Sequence, residues 1–215
     1  GADAGRERSV RAVAGAMGRG LASGQLTLRV DVNFGWTFDW AVERLTSWRD
    51  VPLAAVEQPV APGAPEVMAA LCRAVPQPIM VDESLVTVED GQSLAEVGGA
   101  NFFNIRLSKN GGLIPAMRLA GLARRRGIGY QLGCMVGETG LLSAAGQRFL
   151  ALTPGVRFAE GSFGRFLLKD DIVRPGVRFG YGGRFLRPRG LGWGVEVRPD
   201  KLARFSLARP VVIRL

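Results

Sequence analysis

Two rhythms of apolar residues alternate along the chain. Short, nearly continuous apolar runs are each followed by a longer segment in which apolar positions return at helical spacing. QLTLRVDVN, residues 25–33, predicts a strand ending near Asp31. TFDWAVERLTSW follows as a helix with Thr37 at its N-cap. LAAVEQP reads as a short buried strand closed by Pro59, and APEVMAALCRAV as a helix with Pro65 in its first turn. QPIMVDES is the next strand, and TVEDGQSLAEVG the next helix, capped by Thr87. ANFFNIRLS leads into GLIPAMRLAGLARRRG, a helix with a basic last turn and Gly127 as its C-cap. IGYQLGC and TGLLSAAGQRFLAL repeat the unit, VRFAEGS closes the series, and ERSVRAVAGAM predicts an opening helix.

Strands alternating with helices in this way predict an α/β fold with a parallel sheet and right-handed crossovers. Near-continuous apolar strands suit a sheet covered on both faces. Six strands fit either an open doubly wound sheet or most of a (β/α) barrel. After residue 165 the text changes to short alternating stretches rich in Gly, Pro and Arg. Residues 1–165 are therefore expected to carry the strand–helix series, and residues 166–215 to form an appendage that packs on something else.

The strand ends concentrate the chemistry. Asp31, Glu57 and Asp82 close the first three strands and Arg106 the fourth, at spacings of 26, 25 and 24 residues. Each spacing is one strand–helix unit. Groups one unit apart in a parallel barrel stand on neighbouring strands at one height, and catalytic groups gather at that end. Three carboxylates converging beside a cation repel one another unless compensated. A hard divalent ion with oxygen ligands, Mg2+ with Mn2+ as the alternative, resolves this. The plainer alternative is that each acid caps a loop.

Composition removes competing chemistries. There is no histidine, which excludes His-based triads, HExxH metal sites and His–Asp dyads. Apolar residues make up 47%, ample for a core and against disorder. No apolar run has the length of a membrane span, and GADAGRERSV carries no signal-peptide core, so a cytoplasmic protein is expected. Cys72 and Cys134 fit reduced core thiols. The net charge of +9 suggests nucleic acid, but residues 165–215 hold 12 Lys/Arg against 4 Asp/Glu, scattered without a basic run or reader motif. No nucleic-acid partner is expected.

VDVNFGW, VEQP, VDES and IRLSKNGG, in that order and spacing, resemble the enolase superfamily. The match is to its muconate-lactonizing subgroup of cycloisomerases, o-succinylbenzoate synthases and dipeptide epimerases, and runs from Gly1 to about Leu202. GLGWGVEV looks like that family's closing segment. The resemblance implies a TIM-type (β/α) barrel beside a separate capping domain, with Asp31, Glu57 and Asp82 as Mg2+ ligands. It implies a small carboxylate substrate whose adjacent carbon loses a proton to give an enediolate. Lysines from two sides serve as acid and base in this subgroup.

Two departures shape the expectation. In relatives a Lys-x-Lys strand, the barrel's first strands and the capping domain precede a segment like GADAGRERSV. The six strands would then be the third to eighth of an incomplete barrel, in a longer gene product or in a homo-oligomer that covers the open surfaces. Arg106, in turn, stands where one catalytic lysine belongs. Arginine does not readily release a proton near neutral pH, so Arg106 favours a one-base cycloisomerase or dehydratase over an epimerase or racemase, which needs two. Pairing with a site acid is the plainer role for Arg106, and Lys109 is a weak substitute base. Around QLGCMVGETG the resemblance implies a substrate-lining region. Cys134 and Glu138 are assigned to it, although ungapped alignment puts Gly137 in the acid's place, and Glu160 is the second pocket acid; helix capping is the alternative for both. Asn33 and Trp36 are expected to shape a loop. The expected function is a muconate cycloisomerase-like or o-succinylbenzoate synthase-like enzyme, with an epimerase, or an inactive metal-binding fragment, as alternatives.

Overall fold

Local threonine caps start two of the helices where the sequence predicts them. In the computed structural model Thr37 is extended and its hydroxyl accepts the Trp40 N–H, opening α2 (Phe38–Ser47). Thr87 and Asp90 form a reciprocal capping box that opens α4 (Val88–Val97), and Pro65 opens α3 (Pro65–Ala74). Between them lie β1 (Leu28–Asp31), β2 (Leu53–Glu57) and β3 (Ile79–Val81). The series continues through β4 (Phe102–Ile105), α5 (Leu113–Arg126), β5 (Gly129–Leu132), α6 (Gly140–Leu152) and β6 (Phe158–Ala159). The opening helix α1 (Ala2–Ala22) is longer than the sequence predicts and bends at Gly18. The tail adds α7 (Gly164–Leu167), β7 (Val173–Arg174), β8 (Glu196–Val197) and α8 (Pro199–Phe205). The structure describes residues 2–161, 163–177, 190–208 and 211; the tail residues Arg178, Arg184, Arg187, Arg189, Arg209 and Arg214 lie outside them.

The sheet order decides between the two windings. Strands β1 to β6 follow one another in sequence order, and β1–β2, β2–β3 and β3–β4 pair in parallel. A doubly wound sheet reverses direction at a switch point. This one does not, so the winding is that of a barrel, incomplete at six strands.

Backbone packing gathers the chain into two units, Gly1–Ile105 with Arg118–Gln131, and Arg106–Met117 with Leu132–Leu215. In the first unit Trp48, Leu45, Leu71, Ile79, Met80 and Phe103 are buried. Its sheet is curled. Arg29 on β1 donates to Gln131 on β5, although four strand spacings in a flat sheet span roughly 19 Å. In the second unit α6 buries a face of small residues around Phe149, and β7 and β8 pair antiparallel. Among the described residues no helix is long and apolar enough to cross a membrane.

Candidate active site

Each predicted strand-end residue lies where its strand stops. Asp31 and Glu57 are the last residues of β1 and β2 and are register partners. Asp82 is the first residue beyond β3, and Arg106 the first beyond β4. Parallel pairing thus brings Asp31, Glu57 and Asp82 to one edge of the first unit's sheet. Burial separates their surroundings: Glu57 is 6% and Asp82 1% exposed, while Asp31 is exposed.

Two polar residues outside the strand-end series, neither marked by the spacing, hold the buried pair. Asn104 on β4 reaches across β3 to donate its side-chain amide to Glu57 Oε1. Gln58 is wholly buried, with φ +34°, a conformation few non-glycine residues adopt. Its Oε1 accepts the Asp82 and Ser84 N–H groups at 2.9 and 3.2 Å, and its Nε2 donates to Val60 O and Ser84 Oγ, both at 2.8 Å. Gln58 therefore ties the residue after Glu57 to the start of Asp82. Replacing it with Met leaves two backbone donors without their acceptor. Gln58→Met is expected to cost about 2–4 kcal/mol, read as a fall in the denaturation midpoint.

The donor set fits a hard divalent cation. All three side chains offer oxygen, with no thiolate or imidazole beside them. Buried carboxylates are stabilised by nearby positive charge, and a bound cation would add to it. As placed, the three are not drawn into one cluster. Among the described residues no three Asp, Glu, Cys or His side chains are grouped closely enough to hold an ion. The sequence expectation of convergence on one point thus meets a local competitor. Asp31 Oδ1 accepts the Asn33 N–H at 2.9 Å, within a turn where Asn33 and Phe34 both have φ +48°. Trp36, next in that loop, bridges to Val60 and stands edge-on to Trp48.

The second unit holds the other predicted residues. Arg106 is locked at its backbone: its N–H donates to Asn110 Oδ1 at 2.9 Å, and its carbonyl accepts the Lys109 and Asn110 N–H groups at 3.1 and 2.8 Å. Gly111 and Gly112, with φ +79° and +94°, let the chain turn there into α5. The Arg106 guanidinium lies 3.3 Å from Met135 Sδ. A small hollow is lined by Leu107, Leu132, Cys134, Glu138, Ser143 and Glu160, among others. Glu138 is turned toward it, and its Oε1 accepts Ser108 Oγ at 3.0 Å and the Met135 N–H at 2.8 Å. Gly137 is exposed. Burial pushes the Cys134 thiol up to about 12, helped by the Glu138 and Glu160 charges and opposed by Arg106. Burial likewise raises Cys72 to about 11, and both cysteines are free thiols.

Comparison with known proteins gives a consistent set of likenesses. Residues 3–201 match the family described as enolase C-terminal domain-like. Muconate cycloisomerase 1 of Rhodococcus opacus is 33% identical over 189 residues, covering 85% of this chain and 48% of that protein. The structure of muconate cycloisomerase from Pseudomonas fluorescens superposes with a TM-score of 0.82 at 29% identity, covering 93% of this chain and 53% of that one. A dipeptide epimerase from Cytophaga hutchinsonii, complexed with Mg and the dipeptide D-Ala-L-Val, superposes with a TM-score of 0.76 at 26% identity, covering 83% and 48%. The chain spans about half the length of the curated relatives it matches.

Proposed function

Because the chain belongs to the enolase C-terminal domain-like family, we propose that it carries the barrel portion of an enzyme that removes the proton beside the carboxylate of a small substrate. The observation that carries this reading is the row of strand-end acids, with Asp31 and Glu57 in register and Asp82 one strand on. Asp31, Glu57 and Asp82 would hold Mg2+, which supplies positive charge to offset the charge developing on the substrate carboxylate. The Mg-bound dipeptide epimerase among the structural relatives supports that choice of metal. Asn104 and Gln58 keep Glu57 and Asp82 from relaxing away from the edge. Arg106 contributes a fixed positive charge and no proton transfer. The three lysines of the chain are Lys109, Lys169 and Lys201. Lys201 is engaged by Asp170 and Lys169 is exposed in the tail; Lys109, half-buried in the loop after β4 and three residues from Arg106, is the lysine proposed as a substitute base. Glu138, Glu160 and Cys134 form a substrate-facing wall in the second unit.

One-base chemistry of the cycloisomerase or dehydratase type follows from the arginine. An epimerase is the second reading, supported by the likeness to the dipeptide epimerase. Incubation in D2O with Mg2+ and a panel of muconate-type diacids, N-acyl amino acids and dipeptides separates them. Lactonization, dehydration or α-deuteration with retained configuration supports the first reading. Deuteration with inversion supports the second. Absence of every one of these reactions across the panel would count against both.

A further inference from the structure

Helix α6 begins without help from its own sequence. Its N-cap Thr139 makes no side-chain capping bond, and its first turn holds no acidic residue. The acceptor arrives from 31 residues downstream: Asp171 takes the Gly140 N–H on both carboxylate oxygens, at 3.1 and 3.0 Å. A carboxylate there satisfies an otherwise orphaned donor and faces the positive end of the helix. Asp171 is braced in turn. Its Oδ1 accepts the Ile172 N–H at 2.7 Å, its N–H donates to Asp170 Oδ1 at 2.9 Å, and Asp170 is ion-paired with Lys201. The approach leaves no room for a side chain on Gly140, where a Cβ would lie 2.5 Å from both Asp171 Oδ2 and Val173 Cγ2. Two residues earlier, the Glu138 carbonyl oxygen lies against Gly164 so closely that a Cβ on Gly164 would collide with it. The turn Glu138–Gly140 is thus held at two points by the segment from Gly164 to Val173.

That turn carries the Glu138 side chain, which accepts from Ser108 and lines the hollow with Cys134 and Glu160. We propose that Asp171 is a positioning residue for Glu138: by fixing the Gly140 N–H it sets where the Glu138 carboxylate stands in the hollow. Its importance for turnover rests on the reading of that hollow as substrate-facing, but the positioning itself is measurable without substrate. Cys134 is the reporter, since the charges acting on its thiol are Glu138, Glu160 and Arg106.

In a Cys72→Ser background Cys134 is the sole cysteine, and its alkylation rate at pH 9 follows its thiolate fraction. Glu138→Gln is expected to raise that rate about threefold or more, the change that half a pKa unit produces. Asp171→Ala is expected to raise it similarly, and Asp171→Asn, which keeps an acceptor, to stay near the parent. The deciding variant is the double substitution Glu138→Gln/Asp171→Ala, expected to react no faster than Glu138→Gln alone. A general loosening of the hollow would instead accelerate alkylation in both backgrounds, and that outcome overturns the proposal. So does an unchanged rate in Asp171→Ala. Should Asp171→Ala not fold, Asp171→Glu displaces the same acceptor while keeping its charge. A folded Asp171→Glu variant with the parent rate is equally fatal to the proposal. Neither result bears on whether the protein exchanges α-protons, so the two readings fail separately.

Discussion

Asp82→Asn is expected to bind Mg2+ at least about 100-fold more weakly than the parent protein, since loss of an inner ligand exceeds the effect of disturbing an outer one. The substitution is suited to the question because it removes a charge and keeps the size of the side chain. Asparagine keeps the shape of a side chain that is 1% exposed, and the Asp82 N–H that Gln58 accepts at 2.9 Å belongs to the backbone. Isothermal calorimetry on parent and variant reads the effect directly. Asp39→Asn, in the exposed first turn of α2, serves as the control expected to leave binding unchanged. A parent protein that takes up no Mg2+, or an Asp82→Asn variant that binds as well as the parent, would sink the assignment of the three acids as ligands. Binding retained in Asp82→Asn but lost in Glu57→Gln would move the ion toward β1 and β2, where Asp31 and Glu57 stand in register.

The strand–helix series was legible because a parallel sheet covered on both faces has to be written as apolar runs, and because threonine caps announce the helices that follow. The acids were legible for a related reason. A regular repeat converts sequence spacing into spatial adjacency, so spacing alone places Asp31, Glu57 and Asp82 on neighbouring strands. Gln58 and Asn104 are not legible from the spacing because their roles cross the repeat. Asn104 bonds a residue two strands away, and nothing in FFNI marks its partner beyond a polar residue in an apolar strand. Asp171 is hidden for the same cause, since a cap supplied from a distant segment leaves no local capping signature at Thr139. The direction of the Asp31 side chain was equally hidden. Spacing fixes the height of a residue on its strand, whereas the Asn33 N–H in the following turn decides where the carboxylate points.

Arg106→Lys is expected to open the second proton-transfer route, raising α-deuteration with inversion by about 10²- to 10⁴-fold, the usual contribution of a positioned acid–base group. Both side chains carry a positive charge, so electrostatic attraction for an anionic substrate is kept. They differ in the proton. A guanidinium holds its own across the accessible pH range, whereas a lysine that is partly desolvated titrates lower and can both take and return one. The position should accept the exchange without rebuilding the loop, because what fixes it is backbone: the bonds to Asn110 and Lys109, and the two left-handed glycines that follow. Arg106→Met completes the argument by removing the charge as well, and should lower exchange on either face. If the parent protein already inverts its substrate, arginine has not closed the two-base route and the epimerase reading gains. If Arg106→Lys gives no inversion while Arg106→Met still loses activity, the position serves charge alone, and the base that works from the other face sets the chemistry by itself.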